Sequence, residues 1–332
     1  MISWNNIWRA STQDWIYARL DGGQGPAFSD QVISPETAYL NVFLKSARIV
    51  DVRKGLKRFY GAVHSHMRLP RRSQKPAEFS VVTTPSALKD VDAMHLARVI
   101  QINRRLLGPV PYLGGDLEVQ VALLSVASSE LTGPYLSLLE TLSKEAGVAF
   151  MNVAIPFARP IVEGINLLTG ASLDSVLEVA ISTTMEPVRE GYYAIIRAPK
   201  EALSVETLAV DPTDHHLIGP GGQPLVAYPY MLLELRADSQ RSDWFTIPAV
   251  CEAYTAVQEA FRTGAQESVE QALQVFRRIA LTCDDLLPND ADRLAHKIEA
   301  LYKSRRGQRT TRFFGRFNEL PDLDTVDLYA DE

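Results

Sequence analysis

Cysteine and long apolar runs are both scarce in this chain, and each absence excludes a class of protein. The 332 residues include two cysteines, Cys251 and Cys283, too few for a disulfide framework and typical of a reducing compartment. The most apolar stretch, residues 148–168, is interrupted by Arg159, Glu163 and two prolines, whereas a membrane-spanning helix needs about 20 nearly uncharged residues. The N-terminus has no apolar signal-peptide core. We therefore expect no transmembrane segment and a cytoplasmic location.

Motifs that would name a reaction are also missing. Neither Gly-x-Ser-x-Gly nor His-Glu-x-x-His is present, and the glycine-rich residues 219–224 lack the Lys-Ser/Thr that completes a phosphate-binding loop. Both cysteines fall on apolar faces of expected helices, which is typical of structural thiols. Catalytic groups that are assembled in space leave no such motif, so the question of an enzyme stays open. The absences favour a protein that is not an enzyme and indicate no cofactor.

What the chain does have is an uneven distribution of charge. Its net charge is −6, yet residues 45–75 contain ten Lys or Arg and one acid, Asp51, and so carry +9. The other residues together therefore carry −15. Within the basic run, Lys57-Arg-Phe-Tyr60 mixes cations with aromatic rings, a combination that can grip phosphates and stack bases. The same cations suit anionic lipid headgroups or an acidic protein surface.

These cations are the basis of the functional prediction. We expect a non-catalytic binding or adaptor protein whose basic surface, residues 45–75, engages an acidic partner together with the C-terminal tail. A protein partner is favoured over nucleic acid or anionic lipid, since no nucleic-acid-binding signature is present. A second candidate is the turn at Gly115-Asp116 near Arg104 and Arg105, which suits a bound carboxylate or an internal Arg–Asp pair. The predicted binding residues are Lys54, Lys57, Arg58, Arg68, Arg71, Arg72 and Lys75.

His64-Ser-His66 provides a metal-binding alternative. Residues i and i+2 of a strand point to one face about 7 Å apart, so two imidazoles could share a zinc ion with Asp214 and His215. The pair resembles the start of the His-x-His-x-Asp-His motif of metallo-β-lactamase-like hydrolases, which implies a metal-dependent hydrolase. However, Arg68 and Leu69 stand where that motif has its Asp and final His. This departure and the nearby cations favour two surface histidines instead.

The order of residue patterns predicts an α+β fold. Runs of strands come first and runs of helices follow, which argues against alternating βαβ units. We expect a β-sandwich-like antiparallel domain over residues 36–245, with a two-helix insertion at about residues 129–169. Residues 1–35 form a separate N-terminal segment, in which Trp4, Trp8 and Trp15 could line one side of a helix. Strands are predicted from apolar alternation or apolar runs at residues 39–50, 56–67, 79–83, 93–107, 117–126 and 225–236.

A period of 3.6 residues predicts a three-helix unit over residues 246–304. The first helix places Val250, Tyr254, Val257 and Phe261 on one face, and the other two helices have similar stripes. Asn289 or Asp290 is the expected cap of the third helix, where the helix dipole favours the negative charge of the first turn. Short connections predict that the helices are antiparallel neighbours.

The C-terminal tail, residues 305–332, is predicted to be mobile. Six basic residues between 303 and 316 are followed by six acidic residues between 319 and 332. Apolar anchors at Leu320, Leu323, Val326 and Leu328 suit a peptide docked into a partner's groove. Another alternative is an effector that the acidic tail keeps inactive by covering the basic surface until a partner or a protease removes it.

Overall fold

Strands come first along the chain and helices come last. The computed structural model describes residues 15–20, 28, 30–50, 53–54, 57–72, 76–83, 100–127, 175–263, 266–309 and 319–330, and all structural statements below concern these residues. The expected insertion at about residues 129–169 lies outside them. The strands are β1 (Trp15–Leu20), β2 (Tyr39–Arg48), β3 (Arg53–Lys54), β4 (Lys57–Leu69), β5 (Ala77–Thr83), β6 (Ile100–Pro111), β7 (Leu117–Ala127), β8 (Ser175–Met185), β9 (Gly191–Arg197), β10 (Ala209–Val210), β11 (Leu217–Ile218) and β12 (Tyr230–Asp238).

The strands form two five-stranded sheets and one small pair. The first sheet has the order β1-β9-β12-β2-β6, and β10 pairs with β11. The second has the order β3-β4-β7-β8, with β5 also paired to β4. The β9–β12 pair is antiparallel with Tyr192 opposite Glu234, and the β4–β7 pair is antiparallel with His64 opposite Ala122. Antiparallel sheets followed by helices confirm the predicted α+β class.

The chain divides into two compact units. The first, here the sheet unit, comprises Met1–Ile33, Leu40–Gly108 and Gly114–Ala237. The second, here the helical unit, comprises Ser34–Tyr39, Pro109–Leu113 and Asp238–Glu332. Two short stretches from the strand-rich part of the chain therefore group with the helices, a division that sequence patterns did not suggest.

The core of the sheet unit comes from strands that are apolar on both faces. All of β2 except Phe43 is buried, and β9 is buried up to its last residue, Arg197. One cluster joins β1, β9 and β12 to the residues between β9 and β12, including Leu208, Leu217 of β11 and Leu225. Burial on both faces means that any charged side chain within these strands must find its partner inside the unit.

Three helices carry the helical unit: α1 (Pro248–Thr263), α2 (Gln266–Leu281) and α3 (Pro288–Arg309). The stripe predicted for the first helix is buried, and Val269, Phe276 and Ala280 of α2 pack in the same cluster. The same cluster includes Leu294, Ile298 and Tyr302 of α3. None of the helices in the described ranges combines the length and the apolar character that crossing a bilayer requires.

The described part of the C-terminal tail packs against the helices, although the tail was predicted to be mobile. Helix α3 continues to Arg309, and residues 319–330 lie against the three helices. Leu320, Val326 and Leu328 are buried members of the same apolar cluster. Their burial removes apolar surface from water, which offsets the loss of chain entropy on ordering the segment.

Candidate functional site

An open groove on the sheet unit brings part of the predicted basic surface together. It has a volume of about 550 Å³, within the range of small-ligand sites. One wall is the end of β4 and the turn that follows it; the other is the turn and first residues of β7. The residues that line the groove are Arg68, Pro70, Arg71, Arg72, Pro76, Gly115, Asp116 and Glu118.

A glycine lets the two walls of the groove approach each other. Gly115 has a φ of +83°, a conformation that L side chains rarely adopt. A Cβ atom at this position would lie 2.9 Å from the Cγ atom of Pro70. Any larger residue would push the β4–β5 turn away from the turn before β7, so Gly115 fixes the width of the groove.

The charges in the groove are mixed. The Arg68 side chain is 46% exposed, and its guanidinium lies 3.5 Å from a Glu78 oxygen and 3.6 Å from a Glu118 oxygen. These two carboxylates orient Arg68 on the wall of the groove. Arg72 is exposed and Arg71 is half-buried on the adjoining turn. The groove therefore presents guanidinium groups among acidic neighbours, which suits an anion of limited charge.

The structure divides the predicted basic surface. Arg68, Arg71 and Arg72 meet in the groove, whereas the backbones of Lys54, Lys57 and Arg58 lie in β3 and β4 and Lys75 is outside the described residues. Lys45 and Arg48 are buried, so they do not belong to an exposed patch. Two hydrogen bonds, 3.1 and 2.8 Å long, join the Arg48 guanidinium to the Val226 carbonyl oxygen. A run of charge in the sequence thus overstates the basic surface.

Lys45 instead belongs to an ionic cluster in the first sheet, in which the two charged residues are buried and Asn103 is exposed. Its Nζ lies 3.1 Å from Oε2 of Glu234 and donates a 2.9 Å hydrogen bond to Oδ1 of Asn103. The Lys45 and Glu234 side chains are 8% and 4% exposed. Asn103 has a φ of +41° on β6, an irregularity that asparagine tolerates better than most residues. Strands β2, β6 and β12 each supply one member.

His215 and Tyr192 border this ionic cluster. The two rings lie 6.1 Å apart, and Ser46 Oγ donates a 2.6 Å hydrogen bond to the His215 carbonyl oxygen. His215 has a φ of +58°, and burial, followed by the charge of Lys45, lowers its pKa. Burial and the charge of Glu234 raise the pKa of Tyr192 to about 12. A strained histidine beside a buried ion pair is a common feature of functional sites.

The histidines proposed for zinc are in different surroundings from those expected. His64 is buried in β4 rather than exposed, and burial, with a smaller effect of His66, lowers its pKa to about 3. Its Nδ1 has no hydrogen-bond partner within the described part of the chain. His66 is half-buried two residues further along the strand. A neutral, buried imidazole suits a core position as well as it suits a metal.

Asp214 belongs to a different group of possible metal ligands from the one predicted with His64 and His66. One group of three possible metal ligands occurs in the described ranges, where donor atoms of Asp211, Asp214 and His216 lie within 4.8 Å of one another. His215, the other predicted ligand, is not part of this group. The loop accounts for the arrangement, because Asp211 Oδ1 accepts the Thr213 N–H at 2.8 Å and Asp214 bonds the His216 ring. These bonds are those of a self-satisfied turn.

Sequence reasoning identified the arginines of the groove but missed the partners inside the sheet unit. The second candidate, the turn at Gly115-Asp116, does line the groove, while Arg105 lies over the Phe43 ring at 5.5 Å. Glu234, Asn103 and Tyr192 were not singled out. The available signal was Lys45 itself, since a lysine in a strand that is apolar on both faces requires a buried counter-charge.

Comparison of the chain with protein-family models, with curated proteins and with solved structures gives no match. The groove and the ionic cluster are therefore interpreted from their own chemistry.

Proposed function

We propose that this chain is a non-catalytic binding protein that recognises an acidic segment of a protein partner through the groove of Arg68, Arg71 and Arg72. The observation that carries the proposal is the convergence of these three arginines on one open groove of about 550 Å³. Guanidinium groups form two parallel hydrogen bonds with a carboxylate, so they recognise acidic side chains with defined geometry.

The acidic residues in the groove favour a protein partner over a polyanion. Asp116 and Glu118 line it together with the arginines, and Glu78 lies beside Arg68. Nucleic acid carries a phosphate at every nucleotide and binds best to surfaces of one sign. An acidic peptide spaces its carboxylates with neutral residues, so it can place them on the arginines and avoid Asp116 and Glu118. Electrostatic complementarity of this kind contributes specificity.

The test is charge reversal at the exposed end of the groove. The probe is a fluorescent peptide in which Glu alternates with Leu-Ser. The double variant Arg71→Glu, Arg72→Glu should bind this peptide at least about tenfold more weakly than the wild-type chain, because each reversal replaces an attraction with a repulsion. Fluorescence anisotropy at low salt measures the affinity. A DNA duplex and phosphatidylserine–phosphatidylcholine vesicles, added in separate titrations, should bind less well than the peptide.

A matched control is available in the helical unit. Arg277 and Arg278 are adjacent, exposed arginines on α2, and reversing both produces the same change in net charge. This control should bind the peptide like the wild-type chain. The proposal is overturned when the groove variant binds the peptide as tightly as the wild type, or when both double variants lose the same affinity. Stronger binding to DNA or vesicles would replace the protein partner with a polyanion.

A further inference from the structure

Residues 319–330, here the C-terminal segment, contact the helices mainly through side chains. The segment contains a single turn of 3₁₀ helix at Leu323–Thr325. Its backbone hydrogen bonds are local: the Thr325 N–H donates to the Asp322 oxygen at 3.0 Å and the Val326 N–H to the Leu323 oxygen at 3.2 Å. The segment therefore resembles a bound peptide more than an additional helix of the unit.

Apolar anchors alternate with exposed acids along the C-terminal segment. Leu320, Val326 and Leu328 are 5%, 8% and 1% exposed within the cluster formed by α1, α2 and α3. Asp324 and Asp327 lie between these anchors and are exposed. Spaced apolar side chains inserted into a groove between helices are a common mode of peptide recognition.

Polar contacts fix both ends of the segment. Near its start, the Pro321 carbonyl oxygen accepts the Tyr254 hydroxyl at 2.7 Å and the Gln258 Nε2 amide at 3.2 Å, both from α1. Near its end, the Tyr329 hydroxyl donates to Asp290 Oδ2 at 2.8 Å and accepts the Arg241 N–H at 2.9 Å. Contacts at two fixed points set the direction and register of the segment.

The pocket that holds the Tyr329 side chain is formed by residues outside the C-terminal segment, and some of its hydrogen bonds do not involve the segment. Asp290 Oδ2 also accepts the Tyr39 hydroxyl at 2.6 Å, and the Tyr39 oxygen accepts the Leu287 N–H at 3.0 Å. The Arg293 guanidinium lies over the Tyr329 ring at 5.4 Å from its centroid. A buried carboxylate held by Tyr39 and a flanking cation thus form a preorganised pocket for a tyrosine hydroxyl and its ring.

We propose that the groove of the helical unit is a peptide-binding site, and that its occupant can be the C-terminal segment of a second copy of this chain. The segment in the structure is then the resident ligand, bound in cis. Nine residues separate Arg309 from Glu319, and at about 3.3–3.6 Å per residue they reach up to about 30 Å. An identical segment reproduces every contact, so exchange between copies loses no bonding.

The linker between α3 and the C-terminal segment determines whether the chain's own segment or that of a second copy occupies the groove. A segment joined by a short linker competes at an effective concentration of about millimolar, so a second copy in dilute solution is excluded. Weakening the resident segment alone should open the groove to a segment supplied in trans. Tyr329→Glu does this because it places a carboxylate beside the buried carboxylate of Asp290.

The experiment titrates a fluorescent peptide of residues 317–332, with the natural sequence, into full-length chains. The peptide presents the segment as a second copy would. The Tyr329→Glu chain should bind it at least about tenfold more tightly than the wild-type chain, measured by fluorescence anisotropy. A peptide with Leu328→Asp should not bind, because Leu328 is the most deeply buried anchor.

Thr325→Glu is the matched control, because Thr325 is an exposed residue of the same segment. That chain gains the same charge and should bind the peptide as weakly as the wild type. The proposal is overturned when the Tyr329→Glu chain keeps the wild-type circular dichroism spectrum and binds no peptide. Equal binding by all three chains also overturns it, since the peptide would then attach elsewhere.

A second measurement covers a Tyr329→Glu chain that does not fold. Native-state hydrogen exchange of the wild-type chain, read by mass spectrometry, compares residues 319–330 with the three helices. A resident ligand detaches while the helices stay folded, so its amides should exchange at least about tenfold faster. Exchange of the segment and the helices at one common rate would make the segment an inseparable part of the fold and overturn the proposal.

Discussion

Glu234 in the sheet unit and Asp290 in the helical unit are both buried acidic side chains, but their surroundings differ. In the sheet unit, Glu234 is 4% exposed and faces the Lys45 ammonium group at 3.1 Å. In the helical unit, the Asp290 side chain is 5% exposed, with Arg293 at 4.0 Å, and its oxygen accepts hydroxyls from Tyr39 and Tyr329. One acid is held by an opposite charge and the other chiefly by hydroxyl dipoles.

This difference determines what each unit loses when a partner is removed. A buried ion pair that loses one member leaves an uncompensated charge in a region of low dielectric constant, which is strongly unfavourable. When a carboxylate that accepts hydrogen bonds from two hydroxyls is removed, the two neutral hydroxyls lose their acceptor. This costs less free energy of folding than an unpaired buried charge. The sheet unit should therefore be more sensitive to single substitutions at its ionic cluster than the helical unit is at Asp290.

The largest effect is expected for Lys45→Ala. The substitution leaves the Glu234 carboxylate buried without its cation, so the free energy of unfolding should fall by about 3–5 kcal/mol. Urea unfolding followed by circular dichroism measures the change. Because a chain with two compact units need not unfold in a single step, hydrogen exchange should test whether the loss lies in the sheet unit.

Two further variants separate the charge from the loss of packing. Lys303→Ala removes a lysine whose Nζ lies 2.7 Å from Glu299 on the exposed surface of α3, and it should change stability by less than about 1 kcal/mol. Lys45→Met combined with Glu234→Leu removes both charges and should recover most of the lost stability. A double variant no more stable than Lys45→Ala would show that the ion pair is not the reason for the loss.

Local patterns predicted the elements of both units well, because periodicity records which face of an element is buried. The stripe predicted for α1 is buried, and the strand predicted at residues 93–107 is confirmed from Ile100, where β6 begins. Trp15 was misassigned: we placed it on a helical stripe, whereas it begins β1 with alternating burial. The spacings of four and seven residues between the three tryptophans fit a helical period, so they gave no signal of the strand.

Long-range partners could not be predicted from the same patterns. Asp290 was interpreted as a helix cap favoured by the dipole, and it does lie in the first turn of α3. Nothing in the local sequence links it to Tyr39, 251 positions away. The tail was predicted to be mobile, but Leu320, Val326 and Leu328 are buried in a cluster that exists only once the helices have packed together.

An intermediate effect is expected for Asp290→Ala. The Tyr39 and Tyr329 hydroxyls lose their common acceptor, so the free energy of unfolding should fall by about 2–3 kcal/mol. Urea unfolding measures the fall, and hydrogen exchange should place it in the helical unit. Asp292→Ala is the control, because Asp292 lies two residues further along α3 and is 57% exposed. If both variants lose the same stability, the hydroxyl contacts contribute nothing beyond the charge of the first turn.

The smallest effect on stability is expected from a change in pH, through the buried imidazole of His64. His64 is buried in the sheet unit, its Nδ1 has no hydrogen-bond partner among the residues that the structure describes, and burial lowers its pKa in the folded chain to about 3. Its pKa in the unfolded chain is about 6.5. The unfolded state therefore binds the proton first as pH falls, and stability should decline between about pH 6.5 and pH 3. At pH 5 the loss relative to pH 7 is about 2 kcal/mol.

His64→Gln isolates this contribution, because glutamine keeps a polar side chain but does not titrate in this range. The difference in unfolding free energy between pH 7 and pH 5, measured in urea, should shrink by about 2 kcal/mol relative to the wild type. His296→Gln is the control for the loss of an exposed imidazole, since the His296 side chain is 61% exposed on α3. An unaltered pH profile in the His64 variant would mean that the buried imidazole is protonated as readily as in the unfolded chain.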